Sequence, residues 1–194
     1  AKMKDRITNV LLVGVGGQGI LLASEILSET AMLAGYEVKK SEIHGMSQRG
    51  GSVVSHVRFG KQVFSPIVPE GEGDILFGFE LMETCRCLPL LRQGAVVIAN
   101  NLRILPPAVL MGQEKYPENL DVHMQSLFPE FTLIDCQKVA EESGNIRTAN
   151  IVMLGAVSRR LDIAESFWLK AVEKMVPSKA VEVNLKAFLK GRSL

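Results

Sequence analysis

The stretch ITNVLLVGVGGQG, residues 7–19, decides the fold class of this chain. Its first half is short, apolar and rich in β-branched residues, which is typical of a strand buried on both faces. A glycine-rich stretch, residues 14–19, follows at once. A helical stripe comes next, with apolar residues three and four apart from Ile20 to Ala34, and Gly35 ends it. Strand, tight turn and helix in this order predict the first part of a βαβ unit.

The rest of the chain also contains predicted strands and helices. Further strands are predicted at residues 36–40, 52–59, 74–79, 95–99 and 131–136. We expect residues 52–59 to form a hairpin with residues 62–65 around the Gly60-Lys61 turn. The segment 100–119 is rich in proline and turn residues and predicts an excursion or lid, and the chain is helical from residue 137 onward. The predicted fold is α/β, a Rossmann-like open sheet with a β-hairpin and a helical C-terminal segment, in a single domain over residues 1–194.

Composition excludes several classes of protein. The 194 residues carry a formal net charge of +1, with 47% hydrophobic and 22% charged residues, which is the balance of a globular chain. No basic stripe for nucleic acid, no membrane-spanning apolar run and no secretory leader is visible. Cys85, Cys87 and Cys136 have neither disulfide-framework nor iron–sulfur spacing. We therefore expect a cytoplasmic protein with reduced cysteines that binds neither nucleic acid nor membrane.

The glycine turn is the first candidate site. Gly14, Gly16, Gly17, Gln18 and Gly19 fit the pattern G-x-G-x-x-G between a strand and a helix, where unpaired backbone N–H groups favour an anion. Three interpretations of this turn stay open: it binds a dinucleotide, it binds another phosphate-bearing or acidic ligand, or it only packs the helix on the sheet. The dinucleotide reading needs an acid after the second strand. Glu42 is the candidate, but it follows two lysines and is expected in the loop.

A second polar loop, residues 41–51, should lie at the same carboxyl edge of the sheet. Gln48, Arg49, Gly50 and Gly51 are its candidate binding residues. Arg49 offers a planar fork of donors for phosphate or carboxylate, and the two glycines expose backbone N–H groups. We expect this group to contact a ligand or a partner. The alternative is a surface loop in which Arg49 makes a salt bridge and His44 caps a turn, and for His44 alone this alternative is the favoured interpretation.

A complete catalytic site is absent from the sequence. His44, His56 and His123 lack metal-ligand spacing, and His56 is expected to be a structural residue of its strand. No nucleophile elbow, Walker lysine or zinc signature occurs. We therefore assign no catalytic residue and no metal ligand, and the two loops together look like half of a site.

Four motifs resemble those of the 2-oxoacid:ferredoxin oxidoreductases. LVGVGGQGI, residues 12–20, resembles the opening of their gamma-type domain. SEIHGMSQRGGSV, residues 41–53, is similar to the indolepyruvate branch in particular. NIVMLGA, residues 150–156, and EVNLKAF, residues 182–188, resemble motifs near the C-terminus of the same domain. The resemblance covers nearly the whole chain.

The resemblance implies an enzyme that decarboxylates a 2-oxoacid oxidatively, forms an acyl-CoA and passes electrons to ferredoxin. It implies indolepyruvate or a related aryl pyruvate as substrate; the 2-oxoglutarate, pyruvate and 2-oxoisovalerate branches are the alternatives. Thiamine diphosphate and the iron–sulfur clusters would lie on a larger partner subunit. This chain would bind no cofactor alone, would be inactive alone, and would offer coenzyme A a surface in the complex. A stand-alone NAD- or FAD-binding Rossmann protein and a scaffold subunit are the competing hypotheses.

Overall fold

A computed structural model describes residues 6–45 and 51–194. Its centre is a sheet of six strands in the order β2-β3-β1-β4-β5-β6. β1, β4, β5 and β6 run parallel to one another, whereas β3 is antiparallel to both of its neighbours, β1 and β2. The central strands β1 and β4 are almost entirely buried, as their continuous apolar sequences predict. The strands are β1 Thr8–Val15, β2 Glu37–His44, β3 Ser52–Gly60, β4 Gly73–Gly78, β5 Leu91–Asn100 and β6 Phe131–Ile134.

The predicted open α/β sheet is confirmed, but the predicted hairpin is wrong in its partner strand. β3 pairs with β2 over eight residues, from Glu37↔Gly60 to His44↔Val53. Residues 62–65, which lie in the described part of the chain, form no strand. The Arg58 side chain donates instead to the carbonyls of Ser65 and Ile67, both at 3.0 Å. This holds the segment beside the sheet without a ladder, and Pro66 has no N–H to contribute to one.

The second strand is longer than its sequence suggested. Residues 41–44, expected in the polar loop, are the last residues of β2. β1 and β2 run in the same direction, with β3 between them. The expected βαβ unit is therefore present in a split form, because an antiparallel strand occupies the place beside β1.

Helices cover both faces of the sheet. The face formed by Leu12, Phe77 and Ile98 is covered by α1 and α5–α8, and the face formed by Leu11, Leu76 and Val97 is covered chiefly by α2 and α4. Single-residue alternation along each strand sends side chains to these two cores. The helices are α1 Ile20–Leu33, α2 Leu81–Arg86, α3 Pro107–Leu110, α4 Leu120–Leu127, α5 Cys136–Ser143, α6 Ala149–Ser158, α7 Glu165–Met175 and α8 Val181–Arg192.

α6 is buried on every side. Each residue from Asn150 to Ser158 is buried, although the sequence predicted a single apolar face for this helix. The reason is a crossing with α8 at two glycines. A Cβ added to Gly155 would lie 2.1 Å from the Phe188 carbonyl oxygen, and one added to Gly191 would lie 2.0 Å from that of Val152. The two helix backbones touch directly, because neither glycine has a side chain to hold them apart.

Among the residues that the structure describes, no helix combines the length and the apolar character needed to cross a bilayer.

We predict that Gly155→Ala destabilises the chain by about 2–3 kcal/mol or more, since overpacking a dense core costs about 1–3 kcal/mol and here the clash is with backbone. Urea unfolding monitored by circular dichroism measures the change. Lys186→Ala, on the exposed side of α8, is the control and should leave stability within about 0.5 kcal/mol. Equal unfolding midpoints for Gly155→Ala and the control would show that the helices can separate without loss.

Candidate ligand-binding crevice

A crevice opens at the carboxyl edge of the sheet; it is lined by residues at or after the ends of β1, β4, β5 and β6 and includes the gap between the ends of β1 and β4. The helix that follows β1 covers one face of the sheet, and the helix that follows β4 covers the other. Ligands of open α/β sheets bind at such a switch point. The crevice has a volume of about 180 Å³ and is lined by Gly17, Gln18, Arg147 and Asn150 among its polar residues and by Phe79 and Ile104 among its apolar ones.

The structure divides the glycine-turn residues between the protein interior and the crevice. Gly16 donates its N–H to the Gly51 carbonyl at 3.0 Å, so that donor is already used. Gly19 precedes α1 with a φ of 77°, a left-handed conformation that suits glycine, and its carbonyl accepts a 3.2 Å hydrogen bond from Asn150. Gly14 packs against Gln18 and Phe79. Gly17 remains open towards the crevice, and a Cβ there would meet nothing within 4 Å.

Gln18 holds the turn together. Its Oε1 accepts from the Val15 N–H at 2.7 Å, and its Nε2 donates to the Phe79 carbonyl at 2.8 Å. One amide thus joins the end of β1 to the residue that follows β4. The sequence singled out Gln18 as a binding residue, and the structure places it in the crevice wall with both ends of its amide bonded to backbone.

The Phe79 backbone is the meeting point of three strands. Its N–H donates to the Val13 carbonyl of β1 at 2.7 Å, and its carbonyl accepts from Gln18 and, at 3.3 Å, from Asn100 at the end of β5. The Asn100 Oδ1 accepts in turn from the N–H of Cys136 at 3.0 Å, where α5 begins. These bonds fix the relative positions of β1, β4, β5 and the start of α5, and with them the walls of the crevice.

The two ends of the second polar loop lie beside the glycine turn, as predicted. Val15 pairs with Ser52, Gly45 donates to the Ser52 carbonyl at 2.7 Å, and Gly51 accepts from Gly16. Both ends of the loop are therefore at the carboxyl edge. Gln48, Arg49 and Gly50 lie outside the described residues, so their roles stay predictions.

Glu42 is poorly placed for a ribose. It lies within β2 rather than in the loop, and β3 separates that strand from the glycine turn by about 10 Å in all, at about 4.8 Å per strand. Its carboxylate pairs with Lys40 at 3.2 Å, and Ser24 donates to it at 3.3 Å. His44, expected to cap a turn, instead ends β2. This geometry disfavours a dinucleotide held across the turn and Glu42.

Arg147 supplies positive charge to the crevice, and the sequence analysis missed it. It lies in a short 3₁₀ turn, Ile146–Thr148, that leads directly into α6. It is exposed, and within residues 6–45 and 51–194 its guanidinium has no acidic partner. The start of α6 lies at the same wall through Ala149 and Asn150, and the N-terminus of a helix favours an anion. The available signal was the position of Arg147 three residues before the motif at 150–156.

Two buried titratable groups are structural: Cys136, which lines the crevice, and His56, which lies within β3 and is not part of the crevice lining. Burial raises the pKa of the Cys136 thiol to about 12, with a further contribution from Asp135, so the thiol is neutral and a poor nucleophile at physiological pH. His56 lies in β3, where its Nδ1 accepts from the Val68 N–H at 3.1 Å. Burial, assisted by Arg58, lowers the pKa of His56, which keeps the ring neutral. The prediction that His56 is structural is confirmed.

Comparisons with known proteins agree with one another. Residues 9–194 match the family described as pyruvate ferredoxin/flavodoxin oxidoreductase. The chain is 40% identical over 185 residues to the indolepyruvate oxidoreductase subunit IorB of Thermococcus kodakarensis, covering 93% of this chain and 92% of the relative. It is 32% identical over 194 residues to the 2-oxoglutarate synthase subunit KorC of Methanocaldococcus jannaschii, covering 98% and 93%.

Solved structures show the same fold. The gamma subunit of a keto/oxoacid ferredoxin oxidoreductase from Geobacter sulfurreducens superposes with a TM-score of 0.72 at 26% identity, over 96% of each chain. A 2-oxoglutarate:ferredoxin oxidoreductase from Magnetococcus marinus, with 2-oxoglutarate, coenzyme A and succinyl-CoA bound, gives a TM-score of 0.74 at 19% identity. That match covers 98% of this chain and 31% of the longer one, and it shows the fold alone.

We predict that Gln18→Ala lowers the free energy of unfolding of the isolated chain by about 1–3 kcal/mol, because a buried backbone partner loses its hydrogen bond. Chemical denaturation without any ligand measures it. Gln62→Ala, an exposed glutamine outside the strands, is the control. If Gln18→Ala were as stable as the parent chain, the amide would be free for a ligand rather than needed by the turn.

Proposed function

Because the chain belongs to the pyruvate ferredoxin/flavodoxin oxidoreductase family, we propose that it is the non-cluster subunit of an indolepyruvate:ferredoxin oxidoreductase. In this role it completes the active site on a larger partner subunit. That partner carries thiamine diphosphate and the iron–sulfur clusters. The complex decarboxylates indolepyruvate or a related aryl pyruvate, transfers the acyl group to coenzyme A and reduces ferredoxin.

The level of similarity to the indolepyruvate oxidoreductase subunits carries this proposal. The identity to these subunits is 36–40% in four organisms, over 93–94% of the chain. It is lower, 24–32%, for the 2-oxoglutarate synthase subunit and the pyruvate/ketoisovalerate subunits. The motif at residues 41–53 points to the same branch.

The size and the side chains of the crevice support a ligand site that this chain shares with a partner subunit. Pockets that hold a small molecule or cofactor have volumes of about 300–1,000 Å³, and this crevice, at about 180 Å³, is smaller. In the described residues, no group of three or more His, Cys, Asp or Glu side chains could hold a metal ion. The crevice suits one part of a ligand, and a partner surface would enclose the remainder.

We assign the crevice to the phosphate-bearing part of coenzyme A. The Arg147 guanidinium, the first turn of α6 and the open backbone at Gly17 all line it. Guanidinium and backbone N–H groups are suited to phosphate oxygens. The remaining predicted residues act around this core. Gly14, Gly16, Gln18 and Gly19 shape the turn, and Gln48, Arg49, Gly50 and Gly51 add donors from the neighbouring loop.

We further propose that the chain forms one domain and acts in the cytoplasm. Both hydrophobic cores share the same sheet, which supports a single folding unit. All three cysteines are free, which suits a reducing compartment.

The substrate assignment is tested by co-expressing the chain with its natural partner subunit and assaying ferredoxin reduction. We expect coenzyme-A-dependent activity with a higher kcat/KM for indolepyruvate than for pyruvate, 2-oxoglutarate or 2-oxoisovalerate. The isolated chain should be colourless and inactive. A preference for 2-oxoglutarate or pyruvate would move the protein to another branch of the family.

We predict that Arg147→Ala raises the KM for coenzyme A about tenfold or more, since a charge-assisted hydrogen bond contributes about 1.5–3 kcal/mol. Arg147→Lys should recover part of the loss, because it keeps the charge without the planar fork.

Arg49→Ala, measured in parallel, should lower coenzyme-A-dependent turnover by about tenfold while the subunits still assemble.

Arg159→Ala is the control, because Arg159 is an exposed arginine at the opposite end of α6. If the KM for coenzyme A is equal in Arg147→Ala and Arg159→Ala, the crevice does not bind this ligand.

A further inference from the structure

One wall of the crevice belongs to the excursion that the sequence predicted between β5 and α4. Leu102 and Ile104, near its start, line the crevice together with Gly17 and Phe79. The position of these two residues therefore sets the width of the crevice on that side. The excursion has little core of its own to hold it, since the helix α3 within it has no buried residue.

A single carboxylate binds the start and the end of this excursion. Glu80 Oε1 accepts from the Ile104 N–H at 3.2 Å and from the Tyr116 hydroxyl. Two neighbouring N–H groups add to the attachment. Leu81 donates to the Leu102 carbonyl at 3.0 Å, and Met82 donates to the Tyr116 hydroxyl oxygen at 3.1 Å. Residues 104–116 thus form a loop whose two ends are joined at Glu80.

The side chain of Glu80 has no exposure to solvent, so every bond to its carboxylate counts. Glu80 is fully buried, and its Oε2 accepts from the Glu83 N–H at 2.8 Å at the start of α2. A buried carboxylate is tolerated where donors surround it, and such charge-assisted bonds are stronger than neutral ones. Burial and the bond to Glu80 raise the pKa of Tyr116, so its hydroxyl keeps the proton it donates.

Glu80 also follows Phe79 directly, and the Phe79 carbonyl accepts hydrogen bonds from the side-chain amides of Gln18 and Asn100. The strand end at residues 79–80 therefore fixes the glycine turn on one side of the crevice and the excursion on the other.

We propose that Glu80 is a positioning residue, which holds Leu102 and Ile104 at the spacing that coenzyme A requires in the crevice. The inference rests on the proposed function, since it takes coenzyme A as the ligand of this crevice. Glu80 touches no ligand itself. It acts through Ile104 and Tyr116, and its loss should free the excursion before it affects the sheet.

The attachment itself is tested by hydrogen exchange of the complex with its partner subunit, in the absence of coenzyme A. In Glu80→Gln, and in the milder Tyr116→Phe, we expect amides of residues 101–116 to exchange at least tenfold faster than in the parent complex. Amides of β4 should be unchanged. Glu83→Gln is the matched control, since the Glu83 carboxylate pairs with Arg86 of its own helix. Unchanged exchange at residues 101–116 in both variants would overturn the proposal.

The functional consequence is tested by steady-state kinetics of the same complexes. Tyr116→Phe should raise the KM for coenzyme A about fivefold or more, with kcat and the KM for the 2-oxoacid unchanged. A variant that merely weakened the fold would lower the melting temperature of the complex and leave this KM alone.

Comparison with Arg147→Ala separates the two proposals. If Arg147→Ala raises the KM for coenzyme A and the Glu80 and Tyr116 variants do not, the positioning role is wrong and the proposed function stands. If none of the three changes this KM, coenzyme A does not use the crevice, and both proposals fall.

Discussion

The peptide at Phe79 is the constraint on which the carboxyl edge depends. One N–H and one carbonyl there connect β1, the glycine turn and β5, through Val13, Gln18 and Asn100. Each bond is ordinary, but together they join three separate stretches of chain at one point. A displacement of any of them would leave buried polar groups without partners, which is costly in a dry environment. The crevice therefore has a fixed floor, whereas the wall that the excursion supplies depends on the separate attachment at Glu80.

The first strand, the glycine turn and the first helix could be predicted from sequence because their signals are local. A continuous apolar run predicts a strand buried on both faces, and apolar residues three and four apart predict a helix with one buried face. The hairpin could not, because residues 62–65 are as strand-like as β2. What decided between them was a tertiary contact, the side chain of Arg58 bonding to the carbonyls of that segment. The burial of α6 on every side could not be predicted either, since it follows from the contact of Gly155 with Phe188 and Gly191, more than thirty residues later in the chain.

The location of the candidate site could be predicted from the sequence, but the roles of its individual residues could be predicted only in part. Glycines after a strand indicate the carboxyl edge, and the second polar loop is attached there. Gln18 was assigned to a ligand because a sequence does not show that both ends of its amide meet backbone. Arg147 was overlooked because a lone arginine before a helix is common. Its proposed role is indicated only by its position in the lining of the crevice. Glu80 gave no signal either, since burial of a carboxylate depends on donors far away in the chain.

The attachment of the second loop has a consequence for how such proteins can diversify. Its two ends are held by main-chain bonds, Gly45 to Ser52 and Gly16 to Gly51, which do not depend on the side chains between them. The pairing of β2 with β3 next to these bonds runs from Glu37↔Gly60 to His44↔Val53 and is likewise a main-chain ladder. Substitutions at residues 46–50 would therefore leave intact the bonds that hold the sheet together at its carboxyl edge, and the sheet tolerates changes of side chain there.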